Sequence, residues 1–112
     1  MKISIQNALH YKWGEDCDGW HLLQSETLSV IQESMPPGTA EGLHFHKKSQ
    51  QLFYILTGTA TFHIGEQIHQ VSAGESIHIP QETKHLIMNE TKEVLGFLVI
   101  SEPKSHGDRV NL

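Results

Sequence analysis

The strongest constraint on how this chain can fold is a two-residue alternation of apolar and polar side chains, cut at short intervals by turn-forming residues. The alternation runs through Leu28–Glu33, Thr59–Ile64, Gln67–Val71 and Ser76–Ile79. A period of two places successive side chains on opposite faces of an extended strand. Gln51–Leu56 and Val94–Ile100 are more continuously apolar, which predicts strands buried on both faces. Pro36-Pro37-Gly38, Gly58, Gly65-Glu66, Ala73-Gly74-Glu75, Pro80 and Asn89-Glu90 mark turns between these runs. No long stretch carries the 3.6-residue apolar period of a helix. Many short strands with regular glycine and proline predict an all-β sandwich or barrel.

One core suffices for 112 residues, so the expectation is a single domain over residues 1–112 that folds without a disulfide or zinc staple. Apolar residues at 38% and charged residues at 19% argue against disorder. The apolar runs fall far short of the roughly 20 residues a membrane-spanning helix needs. Met1-Lys2-Ile3-Ser4-Ile5 has no hydrophobic stretch of signal-peptide length. The net charge is −5 and the 8 lysines and arginines are scattered, which argues against a nucleic-acid partner. The lone Cys17 sits among Glu15, Asp16 and Asp18; it reads as an unreactive thiol and fits a reducing cytoplasm. Tyr11, Trp13 and Trp20 are expected to cover an open barrel end or meet a second subunit. The polar tail after Pro103, with its Ser105-His106-Gly107-Asp108-Arg109 cluster, is expected to lie on the surface.

Nine histidines are unusual for this length and suggest metal. His44 and His46 lie two apart, so in a strand both imidazoles point to one face while Phe45 points to the other. Gln51 opens the next apolar stretch, and a hairpin-like return after Lys47-Lys48-Ser49-Gln50 would bring it beside that pair. His85 opens a later strand, past the Pro80 turn. Three imidazoles and one carbonyl oxygen are a plausible set for a first-row metal with exchangeable positions left open.

With those residues in place the chain resembles the cupins. Their first motif, G-x5-H-x-H-x3–4-E-x6-G, matches residues 38–58 at Gly38, His44, His46 and Gly58; their second, G-x5-P-x-G-x2-H-x3-N, matches residues 74–89 at Gly74, Pro80, His85 and Asn89. Two positions depart from the pattern. Gln51 stands at the glutamate ligand position, and Glu82 stands where the second motif has glycine. The resemblance implies a double-stranded β-helix, or jelly-roll barrel, of two antiparallel sheets, holding one divalent metal at His44, His46, His85 and Gln51. Iron, manganese, nickel, copper and zinc all suit such donors. A neutral amide at Gln51 leaves the ion's full +2 charge, so the site should hold metal less tightly and attract anions more strongly. Gln51 either ligates the ion or supports it from behind. At Glu82 a side chain bears a steric cost that glycine escapes when φ is positive; either the loop differs in shape or the residue takes an ordinary conformation.

Among cupin activities, dioxygen-dependent cleavage of a small anionic, enolic or phenolic compound fits the carboxylate-poor site best. The alternatives are a non-catalytic module that binds a sugar or organic acid, and a sugar or keto-acid isomerase. Isomerisation needs a second ionisable side chain near the substrate. Glu33 could be that base if it faces the barrel, and is solvated if it faces out. Phe53 shares the inward parity of Gln51 and is a core residue that could also line a substrate pocket. His63 and His78 are expected on the surface if Phe62, Ile64, Ile77 and Ile79 face the core. Resemblance to small cupins also implies a homodimer, with Ile3-Ser4-Ile5 adding to a partner's sheet.

Overall fold

The computed structural model describes residues Met1–Leu112 and holds eleven strands and no α-helix. In chain order they are β1 (Leu9–Trp13), β2 (Cys17–Gln24), β3 (Ser29–Met35), β4 (His44–His46), β5 (Gln50–Thr57), β6 (Thr59–Ile64), β7 (Gln67–Ser72), β8 (Ser76–Ile79), β9 (His85–Met88), β10 (Leu95–Glu102) and β11 (Arg109–Asn111). They form two antiparallel sheets, one ordered β1-β2-β3-β10-β5-β8 and the other β11-β4-β9-β6-β7. From β3 onward most successive strands change sheet, and this closes the barrel that the alternation predicted, in the jelly-roll form that the resemblance implied. Gly58 makes one of these changes, between β5 and β6, at φ 82°. A Cβ there would stand 3.0 Å from the Val94 carbonyl oxygen, so both the backbone conformation and the space call for glycine.

The inward face of each long strand runs from hydrocarbon to polar. Along β10 it reads Leu95, Phe97, Val99, Ser101, and along β5 in the opposite direction it reads Ile55, Phe53, Gln51; all are buried. The register sets Phe97 beside Ile55, Val99 beside Phe53 and Ser101 beside Gln51. In the second sheet Ala60, Phe62, Val71 and Ile87 complete the apolar end, while His44, His46 and His85 are buried at the other.

Two expectations are corrected. First, β5 and β10 are not buried on both faces. Leu52, Tyr54 and Leu56 are 36–38% exposed on the outer face of the six-stranded sheet, because no further layer covers it. Second, the tail after Pro103 is not merely surface: Arg109–Asn111 pairs with β4, Asn111 opposite His44 and Arg109 opposite His46. Asp108 fastens the approach, its Oδ2 accepting from the Lys48 and Ser49 amides at 2.9 Å. Within the single chain Ile3-Ser4-Ile5 lies outside the strands, and the Ser4 carbonyl accepts from the Asn7 and Ala8 amides in a turn. Other readings stand. Met35 ends β3 before Pro36-Pro37. His78 is exposed and His63 half-buried, with Phe62 and Ile79 in the core. Cys17 is fully enclosed, and burial raises its thiol pKa.

Candidate metal centre

β4 is only three residues long, and its pleat sends His44 and His46 inward with Phe45 between them on the other side. His85 opens β9 directly opposite His44. The ring centroids lie 4.4 Å apart for His44 and His85, 5.1 Å for His44 and His46, and 5.9 Å for His46 and His85. One ligand nitrogen from each falls within 4.8 Å of the others.

Backbone carbonyls set two of the tautomers. The Gly42 oxygen accepts from His44 Nδ1 at 2.9 Å, and the Thr83 oxygen accepts from His85 Nδ1 at 2.7 Å. With the proton on Nδ1, each ring keeps its lone pair on Nε2. His85 Nε2 is buried without a protein partner, as is His46 Nδ1. Gln51 donates its amide to Ser101 Oγ at 3.0 Å, which leaves its Oε1 buried and unpartnered as well. Each buried acceptor left unmatched costs about 1–3 kcal/mol, so several of them at one place fit a cation. Burial pushes the imidazoles toward the neutral form that metal ligation requires, holding His44 down at about 3, His46 at about 4, and His85 below its ordinary value.

Glu82 answers the question its sequence position raised. It sits at φ 61°, so it adopts the left-handed conformation that the missing glycine would have supplied. Its amide donates to the His46 carbonyl oxygen at 2.7 Å, tying the loop before His85 to β4.

His44, His46 and Gln51 line an open cleft of about 890 Å³ that also reaches Phe53, Glu33, Glu41, Arg109, Tyr11, Trp13, His21, Lys104 and His106, while His85 is buried beside them. Glu33 faces the barrel. Tyr11 donates its hydroxyl to Glu33 Oε2 at 2.6 Å. Tyr11 pairs with Gly19 across β1 and β2, and a Cβ at Gly19 would fall 2.2 Å from the Tyr11 ring; the glycine makes room for the ring to lie across the sheet. Burial pushes Glu33 up to about 7 and Glu41 up to about 8. Arg109 reaches in from β11, donating from Nε to Asn111 Oδ1 at 2.6 Å and from Nη2 to the Gly42 oxygen at 3.3 Å. Its Nη1 lies 3.6 Å from Glu41 Oε2, while Glu41 Oε1 is buried and unpartnered. Phe53 packs edge-on to Phe62 at 5.0 Å and to His85 at 6.4 Å, between the apolar core and the imidazoles.

Of the four residues singled out as ligands, His44, His46 and Gln51 line the cleft with Phe53, and His85 is buried opposite His44. Sequence reasoning missed Glu41 and Arg109. Glu41 precedes His44 by one helical-turn spacing, which carries no meaning in a strand. Arg109-Val110-Asn111 does alternate, but over too few residues to read as a strand. The wall beyond the ligands is not apolar, so the condition that would have excluded proton-transfer chemistry is not met.

A family model described as a cupin domain matches residues 31–101. An uncharacterised protein of Methanocaldococcus jannaschii is 33% identical over 81 residues, covering 71% of this chain and 65% of that protein. An oxalate-binding protein of Thermotoga maritima is 29% identical over 85 residues, covering 71% of this chain and 70% of that one. Among solved structures, a predicted oxalate decarboxylase of Thermotoga maritima superposes with a TM-score of 0.85 at 22% identity, covering 93% of this chain and all of that one.

Proposed function

The chain belongs to the cupin family, and from that premise we propose that it is a mononuclear metalloenzyme acting on a small organic anion. One divalent transition metal (iron, manganese, nickel, copper or zinc) would be held by His44, His46 and His85, with Gln51 Oε1 available as a fourth donor. The observation that carries this reading is the gathering of three neutral imidazoles, whose ligand nitrogens lie within 4.8 Å, at the wall of an open cleft that His44 and His46 line. When bound, the ion supplies Lewis-acid polarisation or activation of oxygen.

The chain's own residues do the rest. A donor set without a carboxylate leaves the +2 charge undiminished and draws an anion toward it. Arg109 adds a guanidinium on the cleft wall, steadied by Asn111 and the Gly42 carbonyl and set beside Glu41, and its positive charge favours an anion in the cleft. Glu33, backed by the Tyr11 hydroxyl, is a buried carboxyl able to give or take a proton near neutral pH. Phe53 keeps the core side of the site dry. The oxalate named in the Thermotoga maritima relative supports a carboxylate as the recognised group. The carboxylate-free donors favour dioxygen-dependent cleavage of an enolic or phenolic acid.

That same relative favours a second reading, a module that binds an organic acid without changing it. Metal analysis of untagged protein, followed by an oxygen electrode and product analysis with candidate acids, separates the two. The enzyme consumes oxygen or forms product only when metal-replete, and loses this in the His44→Ala/His46→Ala/His85→Ala variant. A ligand that raises the melting temperature and is recovered intact, with no oxygen consumed, establishes the binding module instead.

The exposed Leu52, Tyr54 and Leu56 on the outer sheet face support a homodimer formed through that face. Sedimentation at micromolar concentration tests it, and a monomer there refutes it. The lone buried thiol of Cys17 is in keeping with a reducing, cytoplasmic setting.

A further inference from the structure

We propose that the acid this cleft takes carries a ring, bound with its carboxylate toward the histidines and Arg109 and its ring against Tyr11 and Trp13; this rests on the metal-and-anion reading above. Size is the first argument. At about 890 Å³ the cleft lies in the upper part of the range of pockets that enclose drug-sized ligands, roughly 300–1,000 Å³. A two- or three-carbon acid at the metal would leave most of that space to water.

The second argument is how the wall is built. Tyr11 and Trp13 line the cleft half-buried, so part of each ring faces the open space. Neither ring is loose. Tyr11 is held at its hydroxyl by Glu33 and along its flank by the bare backbone of Gly19. Its ring also leans on His21, with centroids 4.9 Å apart at 40°. Trp13 donates Nε1 to the Asp18 carbonyl at 3.0 Å and packs against the apolar core. Aromatic surfaces fixed in advance lose little conformational freedom when a flat body covers them, and such a body sheds apolar surface from water. Glycine inside a strand weakens it unless something must approach closely. At Gly19 the approaching group is the Tyr11 ring, so strand stability has been exchanged for placing that ring in the cleft.

The test compares two probes with the same chelating α-keto carboxylate, pyruvate and phenylpyruvate, by calorimetry on metal-replete protein of measured metal content. Phenylpyruvate is expected to bind at least about tenfold tighter, the effect of burying one aromatic ring. Trp13→Ala should cut that preference to about twofold while leaving pyruvate affinity and metal content unchanged. Equal affinity of the wild-type protein for the two acids overturns the ring proposal and leaves the metal-and-anion reading intact. If metal-replete protein binds neither acid, both fall. A full preference that survives Trp13→Ala overturns the assignment of the ring to this wall.

Discussion

At one end of the barrel Met35, Ile55, Phe62, Leu95 and Phe97 fill the space between the sheets. At the other end the same or neighbouring strands present Ser29, Gln51, Ser101 and three histidines. The change takes only four residues along β5, from Ile55 to Gln51, and two along β9, from Ile87 to His85. The named side chains at both ends are buried, but only the polar end borders an open cleft, and the two ends meet different demands. The apolar end needs volume and shape, and any loss there is felt throughout the fold. The polar end needs particular atoms, and it keeps buried nitrogens and an amide oxygen that no protein group satisfies. One end holds the barrel together, and the other stores unmet bonding capacity that a ligand can use.

The contrast is sharpest under paired substitution. Phe97→Ala should remove about 3–5 kcal/mol of stability, read as the urea midpoint of metal-free protein. The His44→Ala/His46→Ala/His85→Ala variant should reduce metal content to background while lowering metal-free stability less than Phe97→Ala does, because removing the unpartnered His46 Nδ1 and His85 Nε2 offsets the lost bonds to the Gly42 and Thr83 carbonyls. If the triple variant unfolds as readily as Phe97→Ala, the two ends are not separable.

A smaller effect concerns Glu33, which lies between the two ends and faces Tyr11, Arg109 and Glu41. Its folded pKa, about 7, is raised above the ordinary 4.5. The stability contributed by its proton is complete below pH 4.5 and is lost as pH rises toward 7, because only the unfolded chain releases the proton in that window. Melting temperatures of metal-free protein should therefore decline more steeply across this range in the wild type than in Glu33→Gln. Parallel slopes would remove Glu33 from the account.

Next in size is Gln51→Glu, which restores a carboxylate to the polar end. Metal affinity should rise on the order of tenfold, and affinity for an organic anion should fall, since the ion's net charge drops by one. A metal affinity that does not respond would place Gln51 behind the ligands and not among them. The smallest expected effect is at Glu82. Relieving its φ of 61° with Glu82→Gly should add about 1 kcal/mol of stability, measured as the shift in urea midpoint.

Part of this arrangement was open to reading in one dimension. His44, His46, Gln51 and His85 were legible because a strand's two-residue period and the spacing of the two motifs are local facts. β5 and β10 were misread because Leu52, Tyr54 and Leu56 look the same in a sequence whether a second layer covers them or not. Tyr11, Glu41 and Arg109 were illegible for a different reason. Their presence in the cleft depends on which strands pair at which register, and Arg109 meets His46 through a strand more than sixty residues further along the chain. The requirement for glycine at position 19 became visible only when Tyr11 was found lying across it.

The seam between β4 and β9 is a single register pair, His44 with His85, whereas β10 is paired along its length on both sides. An ion held by residues on both sides of that seam would act as a removable fastener between two strands distant in sequence. It could then leave or enter by a local parting of β4 while the hydrocarbon end stays shut. Exchange of the metal would be a matter of the barrel breathing at one rim, quicker by far than its unfolding.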